Sequence, residues 1–117
     1  TDLSLIEACV STYVTGMARA DDSMLREAFH PKANVIGHFG GGLEWSTLAE
    51  FVASCVAEAN LPMPRAPHEI EAVSRAGDTA VVRVVNLGGL TFRDTLTLLK
   101  DAGRWQIVSK LFLLLDR

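Results

Sequence analysis

The sequence predicts a single α+β domain, in which helices cover one face of a strongly curved, mixed but mainly antiparallel β-sheet. Three observations lead to this prediction. Apolar residues at helical spacing dominate the first half of the chain, strand-like runs fill the second half, and tight turns separate those runs. The 117 residues are 49% hydrophobic, so the chain can bury one core, and we expect one domain spanning residues 1–117.

Composition argues against two classes of partner. Acidic and basic residues are interspersed and the net charge is −3, so we expect neither nucleic acid nor a membrane surface as a partner. No apolar run approaches the roughly 20 residues of a membrane-spanning helix, and no signal-peptide pattern opens the chain, so a cytoplasmic protein is expected. Cys9 and Cys55 fall on apolar helix stripes, where a free thiol acts as a small hydrophobic side chain.

Three helices are predicted. The first covers residues 3–18, and its apolar face consists of Leu3, Ile6, Val10, Tyr13, Val14 and Met17. The second begins near Asp21, and Pro31 ends it. A capping-box pair, Thr47 and Glu50, precedes the third helix. Its apolar stripe is Leu48, Phe51, Val52, Cys55, Val56 and Ala59, and Pro62, Pro64 and Pro67 end it.

Strand patterns occupy the rest of the chain. Residues 34–39 predict a strand, and the three glycines at 40–42 predict a turn or an irregular loop with Glu44 and Trp45 on its far side. After residue 67, turn signals at 77–78, 88–89 and 101–103 separate four β-rich runs, which predicts an antiparallel meander. Trp45, Phe51 and Trp105 either stack on a flat ligand ring or fill the core, and the core is favoured because aromatic side chains in small domains are usually buried.

One carboxylate interrupts an apolar strand face. In the strand over residues 90–100, one face carries Leu90, Phe92, Asp94, Leu96 and Leu98. An ionised carboxylate among leucines costs several kcal/mol unless it is paired, hydrogen-bonded or facing a wet cavity. A three-residue turn at 101–103 would set Asp94 opposite Lys110 as an ion pair. The same register sets Phe92 opposite Phe112. Matching the apolar faces of the preceding strand then places Asn86 beside Phe92.

The final strand is apolar on both faces. Leu111, Leu113 and Leu115 alternate there with Phe112 and Leu114. An antiparallel sheet usually leaves one face in water, so this second face needs a cover. A second copy of the chain is the economical cover, which predicts a homodimer formed through the outer sheet face.

Several stretches carry a family resemblance. The stretches AFHPKANVIGHFGGGLEW at 28–45, FRDTLTLLK at 92–100 and GRWQIVSKLF at 103–112, with the order of elements, resemble the nuclear transport factor 2-like (NTF2-like) superfamily of cystatin-like cones. Within it they resemble the branch named "putative lumazine-binding". The resemblance covers essentially the whole chain. It implies a sheet curled around a pocket with the first helix across its mouth, and a homodimer through the outer sheet face.

The steroid isomerase branch of this superfamily offers a sharper comparison. The resemblance implies a tyrosine donor at Tyr13, but the branch's base aligns with Gly37 and its protonated acid with Thr95. His38 and Asp94 each lie one residue away from those positions, and neighbouring strand residues face opposite sides of a sheet. Steroid isomerase chemistry is therefore not expected.

Seven residues are the candidate ligand contacts: Tyr13, His38, Asn86, Phe92, Asp94, Lys110 and Phe112. Tyr13 is either a core aromatic or a hydrogen-bond donor, and His38 is a base, a ligand contact or a buried imidazole. Asp94 with Lys110 is either a structural ion pair or a polar anchor in a pocket. The residues leave these alternatives open.

Three functions are compatible with these residues. The first is a homodimeric protein that binds a small, partly aromatic organic molecule. The second is a cofactor-independent isomerase, dehydratase or cyclase, in which His38, Asp94 and Tyr13 are the candidate catalytic residues. In that case His38 or Asp94 is the base, while Tyr13 or Lys110 stabilises an oxyanion. The third is a structural dimer that fills its cavity with its own side chains.

No cofactor and no metal site are expected. His30, His38 and His68 have no short ligand spacing. The glycines at 40–42 lack the lysine of a phosphate-binding loop, and no nucleophile elbow is present.

Overall fold

A computed structural model describes residues 1–57, 67–86 and 91–115. The elements are α1 (Asp2–Arg19), α2 (Asp22–Ala28), β1 (Phe29–Phe39), β2 (Gly42–Thr47), α3 (Leu48–Ala57), β3 (His68–Ala76), β4 (Thr79–Asn86), β5 (Phe92–Asp101) and β6 (Arg104–Leu114). Ala59, Pro62, Pro64, the Gly88–Gly89 turn and Leu90 lie outside the described residues. Three helices on a six-stranded sheet confirm the α+β prediction.

The sheet has the strand order β2-β1-β6-β5-β4-β3. β1 runs parallel to β6, and every other neighbouring pair is antiparallel. The last four strands form the predicted meander, and the β1–β2 hairpin extends the sheet beyond β6. The sheet is therefore mixed and mainly antiparallel, as predicted.

The helices pack on one sheet face, called the inner face here. α1 buries Ile6, Val10, Tyr13 and Val14 against this face, whereas Leu3 is 52% exposed, contrary to its place on the predicted stripe. The predicted capping box starts α3, because the Thr47 N–H donates to Glu50 Oε1 at 2.9 Å and the Glu50 N–H donates to Thr47 Oγ1 at 3.2 Å. Val56, at the far end of the α3 stripe, is exposed.

Two predictions around β1 were wrong. β1 already begins at Phe29, so Pro31 lies inside the strand, in a stretch where the pairing with β6 is interrupted between Phe29 and Asn34. A proline is tolerated there because no ladder hydrogen bond is required of it. After Phe39 the glycines form a turn, one of the two predicted alternatives, and it leads into β2. The core placement of Trp45 was wrong, because Trp45 pairs with Ile36 on β2 and is 66% exposed.

The predicted β5–β6 register was also wrong. The turn contains two residues rather than three, so Asp101 lies opposite Arg104. One extra residue, Val108, then forms a β-bulge, since Leu98 pairs with Ile107 but Thr97 pairs with Ser109. Beyond the bulge the two differences add to a shift of two residues, which changes the partners on β6 but keeps Lys110 and Phe112 on their predicted face. Between the turn and the bulge the shift is one residue, so the side chains there lie on the face opposite to the one that the predicted register implies.

The shift separates the expected ion pair. Asp94 lies opposite Phe112, and Lys110 lies opposite Leu96. The predicted β4–β5 register is confirmed, because Asn86 lies opposite Phe92. Asp94, Lys110 and Phe112 therefore all lie on the inner face. Asp94 is directly opposite Phe112 and diagonal to Lys110.

The core lies between the helices and the inner face. Buried side chains from α1, α2, β1, α3, β4, β5 and β6 form one cluster that includes Tyr13, Leu25, Phe29, Leu96 and Ile107. In the described ranges, no helix is both long and apolar enough to span a membrane.

Candidate functional site

A buried polar cluster lies where α1 crosses the inner face. The Tyr13 hydroxyl, from α1, donates to Asp94 Oδ2 on β5 at 2.6 Å. Asn86 Nδ2, on β4, donates to the same oxygen at 2.6 Å. Tyr13 and Asp94 are 0% exposed and Asn86 is 6% exposed. These three residues are called the inner polar cluster, and they show that Tyr13 is both a core aromatic and a hydrogen-bond donor.

Two oxygens of the inner polar cluster lack a hydrogen-bond partner. They are Asp94 Oδ1 and Asn86 Oδ1, and both are buried. Buried polar atoms are nearly always hydrogen-bonded in folded proteins, because an unpaired one loses water without replacement. The cluster therefore offers two acceptor oxygens to any group that reaches the inner face.

The protonation of Tyr13 is set by its surroundings. Burial, first, and then the nearby charge of Asp94 raise the pKa of the Tyr13 hydroxyl well above its ordinary value. The phenol thus keeps its proton at neutral pH and donates it in the hydrogen bond to Asp94.

Lys110 lies beside this cluster but does not pair with Asp94. Its Nζ lies 5.1 Å from the ring centroid of Tyr13, 4.7 Å from that of Phe51 and 5.8 Å from that of Phe112. Its hydrogen-bonding contact is the Met17 sulfur, at 3.7 Å. The lysine is only 7% exposed. These four neighbours are called the Lys110 cage, and the ion pair predicted from sequence is absent among the described residues.

Phe112 covers Gly37, the residue with which the resemblance aligns the steroid isomerase base. A Cβ on Gly37 would lie 2.7 Å from the Phe112 ring and 2.6 Å from the Phe112 carbonyl oxygen. No side chain fits there without displacing the ring. The ring of Phe92 lies 5.9 Å from that of Phe112 and 6.2 Å from that of Phe39, so aromatic side chains border the polar cluster.

His38 does not join the site. It is exposed, and it pairs with Leu43 on β2. Because alternate strand residues share a face, His38 lies on the outer face with Ile36, whereas Gly37 lies on the inner face against Phe112. The prediction that His38 contacts the same ligand as Asp94 is corrected for this reason.

Three residues on the inner face near the cluster were not among the predicted ligand contacts. Phe51 and Met17 were predicted on apolar helix stripes, and the structure directs both towards Lys110. His68 pairs with Asn86 across β3 and β4 and lies on the same face, although it is exposed. The alternation of His68 with Ile70 at the start of β3 is the sequence signal that could have indicated this.

Two shallow cavities lie away from the inner polar cluster. One, of about 200 Å³, lies between α1, α2 and the β5–β6 turn and is lined by Cys9, Glu27 and Arg104 among others. Burial raises the pKa of the Cys9 thiol to about 11, so this cysteine is a poor nucleophile. The other, of about 220 Å³, lies on the outer face beside Arg93 and Leu111.

Comparison with known proteins gives a family match over nearly the whole chain. The family described as "Putative lumazine-binding" matches residues 1–113. An aldolase, FrzH, from Cladobotryum sp is 28% identical over 109 residues, which cover 86% of this chain and 81% of the aldolase.

Solved structures show the same fold. An NTF2-like protein of unknown function from Silicibacter pomeroyi DSS-3 superposes with a TM-score of 0.90 at 36% identity, covering 97% of this chain and 95% of that protein. A second NTF2-like protein of unknown function, from Shewanella baltica OS155, gives a TM-score of 0.85 at 26% identity and covers 96% and 92% of the two chains.

Proposed function

Since the chain belongs to the NTF2-like family described as "Putative lumazine-binding", we propose that it binds a small organic molecule at the inner polar cluster. The observation that carries this proposal is the pair of unpartnered acceptor oxygens, Asp94 Oδ1 and Asn86 Oδ1. An unsatisfied buried polar atom costs about 1–3 kcal/mol. A ligand that donates hydrogen bonds to both oxygens would recover that free energy.

The surroundings of the oxygens support a flat ligand. Phe92 and Phe112 lie on the same face, with Phe112 directly opposite Asp94 and Phe92 directly opposite Asn86. Aromatic side chains next to a few polar groups are the usual lining of a small-molecule site. The proposed ligand contacts are therefore Tyr13, Asn86, Phe92, Asp94, Lys110 and Phe112, without His38.

Ligand binding is tested by native mass spectrometry and titration. Protein purified from its own host is expected to carry a co-purified small molecule. In titrations with that molecule, Asp94→Asn should weaken binding at least tenfold, because a charged acceptor is replaced by an amide. Asp101→Asn is the matched control, since Asp101 is exposed at the end of the same strand. Parent-like affinity of Asp94→Asn, or a protein without any bound mass, would contradict the proposal.

A second candidate function is proton transfer next to a carbonyl group. Asp94 Oδ2 is held by two donors while Oδ1 is free, so the carboxylate presents one oriented oxygen as a general base. Lys110, on the same face, would stabilise the enolate oxygen. The similarity to an aldolase supports this candidate, because aldol reactions begin by removing such a proton.

Proton transfer is tested by deuterium exchange. Small ketones and aldehydes are incubated with the protein in D₂O, and loss of the proton signal next to the carbonyl is followed by NMR. Exchange should exceed the rate without protein and should disappear in Asp94→Asn but not in Asp101→Asn. Equal exchange by the parent and Asp94→Asn would exclude Asp94 as the base.

We also propose that a second copy of the chain covers the outer sheet face. Trp45, Val81, Leu111 and Leu113 are 66%, 45%, 48% and 55% exposed. Register places Trp45 and Leu111 in one cross-strand row through Ile36. This apolar area supports a two-fold homodimer.

The oligomeric state tests this surface. Light scattering after size-exclusion chromatography should give twice the chain mass for the parent protein. The double variant Leu111→Glu, Leu113→Glu should be monomeric, because charges would be buried in the interface. Leu3→Glu is the control, since Leu3 is equally exposed but lies on α1. A monomeric parent would contradict the proposal.

A further inference from the structure

Lys110 is a buried cation that makes no direct ion pair with any described carboxylate. The ion pairs among residues 1–57, 67–86 and 91–115 do not include it, whereas Lys100, on the neighbouring strand, pairs with Asp2 at 3.0 Å. Yet Lys110 is 7% exposed, and Lys100 is the better solvated of the two. A buried charge is normally paired, because burial removes the water that would otherwise stabilise it.

The rings of the cage compensate this charge only in part. A ring face attracts a cation within about 6 Å of its centroid, and three rings lie within that range of Nζ. The attraction of each ring is weak compared with that of a carboxylate at hydrogen-bond distance. The thioether of Met17 is a weak acceptor as well. The ammonium therefore retains an unused capacity for a strong acceptor.

The unmatched groups lie close together on the inner face. Asp94 is two residue pairs further along the β5–β6 ladder than Lys110 and lies on the same face, so the two are diagonal neighbours. Both contact Tyr13, one through the ring face and one through the hydroxyl. A ligand in contact with Lys110 would therefore lie next to the two strands that carry the free oxygens of Asp94 and Asn86.

From this arrangement we infer that the ligand is a small aromatic carboxylic acid that carries a hydroxyl or amino group on its ring. Its carboxylate would pair with Lys110, and its hydroxyl or amine would donate to Asp94 Oδ1 or Asn86 Oδ1. This inference rests on the proposed function and adds the chemical class of the ligand. A phosphate group fits less well, because phosphate is usually held by several cations or by a helix N-terminus, and Lys110 is the cation that the described contacts place here.

Matched compounds test the carboxylate directly. The parent protein is titrated calorimetrically with 3-hydroxybenzoate, 3-hydroxybenzamide and benzoate, which are close in shape. The hydroxybenzoate is expected to bind at least tenfold more tightly than the amide, because only the former pairs with Lys110. Benzoate should also bind more weakly, since it lacks the donor for the two free oxygens. These comparisons use the unmodified chain and do not depend on the folding of a variant.

Variants then assign the effect to Lys110. Lys110→Met keeps a long apolar side chain but removes the charge, so it should bind the benzoate and the amide equally. Lys32→Met removes the same charge from an exposed position and should retain the tenfold preference.

If the amide or neutral lumazine binds the parent as tightly as 3-hydroxybenzoate, and Asp94→Asn weakens both, the acid class is wrong while the binding site stands. If none of the benzoates binds, the inference is also overturned, and the co-purified mass alone decides the proposed function.

Discussion

Replacing Tyr13 by phenylalanine removes one hydroxyl from the centre of the molecule and leaves the ring in place. The hydroxyl makes a 2.6 Å hydrogen bond to Asp94, and both residues are fully buried. A hydrogen bond to a charged group contributes about 1.5–3 kcal/mol to stability, and its loss leaves a carboxylate with one remaining donor. We expect the free energy of unfolding to fall by about 2 kcal/mol at neutral pH, which corresponds to roughly 10 °C in Tm for a chain of this size.

The cost of Tyr13→Phe should depend on pH. The raised pKa of Tyr13 in the folded protein means that the unfolded chain loses the phenolic proton first, near pH 10. The stabilisation is therefore complete below pH 10 and decreases as pH rises towards the pKa of the folded state, by about 1.4 kcal/mol per pH unit. The parent should lose its advantage over Tyr13→Phe within roughly 1.5 pH units above 10.

Urea denaturation of both proteins at pH 7 and between pH 9 and 11.5 measures this difference. Lysine titration contributes equally to both proteins, so it cancels when the two free energies of unfolding are subtracted. The chain has one tyrosine, so the tyrosinate absorbance reports Tyr13 alone and should appear only as the parent unfolds. Tyrosinate formation in the folded protein near pH 10, or equal stability of the two proteins at pH 7, would refute the reasoning.

Three further predictions concern other positions. Gly37→Ala should destabilise the protein by about 1–3 kcal/mol in chemical denaturation, because its Cβ would overlap the ring and carbonyl of Phe112; unchanged stability would show that the ring moves freely. Cys9 should resist iodoacetamide at pH 8 in the folded protein, as judged by peptide mapping, because burial raises its pKa to about 11. The pKa of the Asp2 carboxyl is lowered, chiefly by the hydrogen bond from the Trp105 indole. The ionised carboxylate therefore stabilises the fold above pH 4, and this contribution is lost as pH falls below that value. The Tm should change more between pH 6 and pH 3 for the parent than for Asp2→Asn.

The faces of the central strands could be predicted from sequence because alternation depends only on local backbone geometry. Asp94 within an apolar row and Asn86 beside Phe92 were both correctly placed on the inner face. A shift of two residues in β6 left this result intact, since it preserves the parity of Lys110 and Phe112. The sequence therefore predicted the composition of the site better than its contacts.

The contacts depended on non-local features that alternation does not contain. The partner of Asp94 is set by the length of the β5–β6 turn and by one bulge, and each changes the register by one residue. Alternation predicts that His38 and Ile36 lie on the same face of β1, but it does not say whether that face is the inner or the outer one. The parallel pairing of β1 with β6 decides this, so the side on which His38 lies could not be predicted. Trp45 was misplaced because no strand was predicted between the glycines at 40–42 and α3, so the exposed edge strand β2 was overlooked.

The extra residue at Val108 divides β6 into two segments that should respond differently to selection. Before it, odd-numbered residues such as Trp105 and Ile107 face inward and belong to the core; after it, even-numbered residues face inward and include Lys110. Substitutions in the first segment should be tolerated according to how well they pack, irrespective of any ligand. Substitutions in the second segment are expected to preserve folding and to remove the proposed binding. A library that samples β6 residue by residue would then separate fitness for folding from fitness for recognition within a single strand.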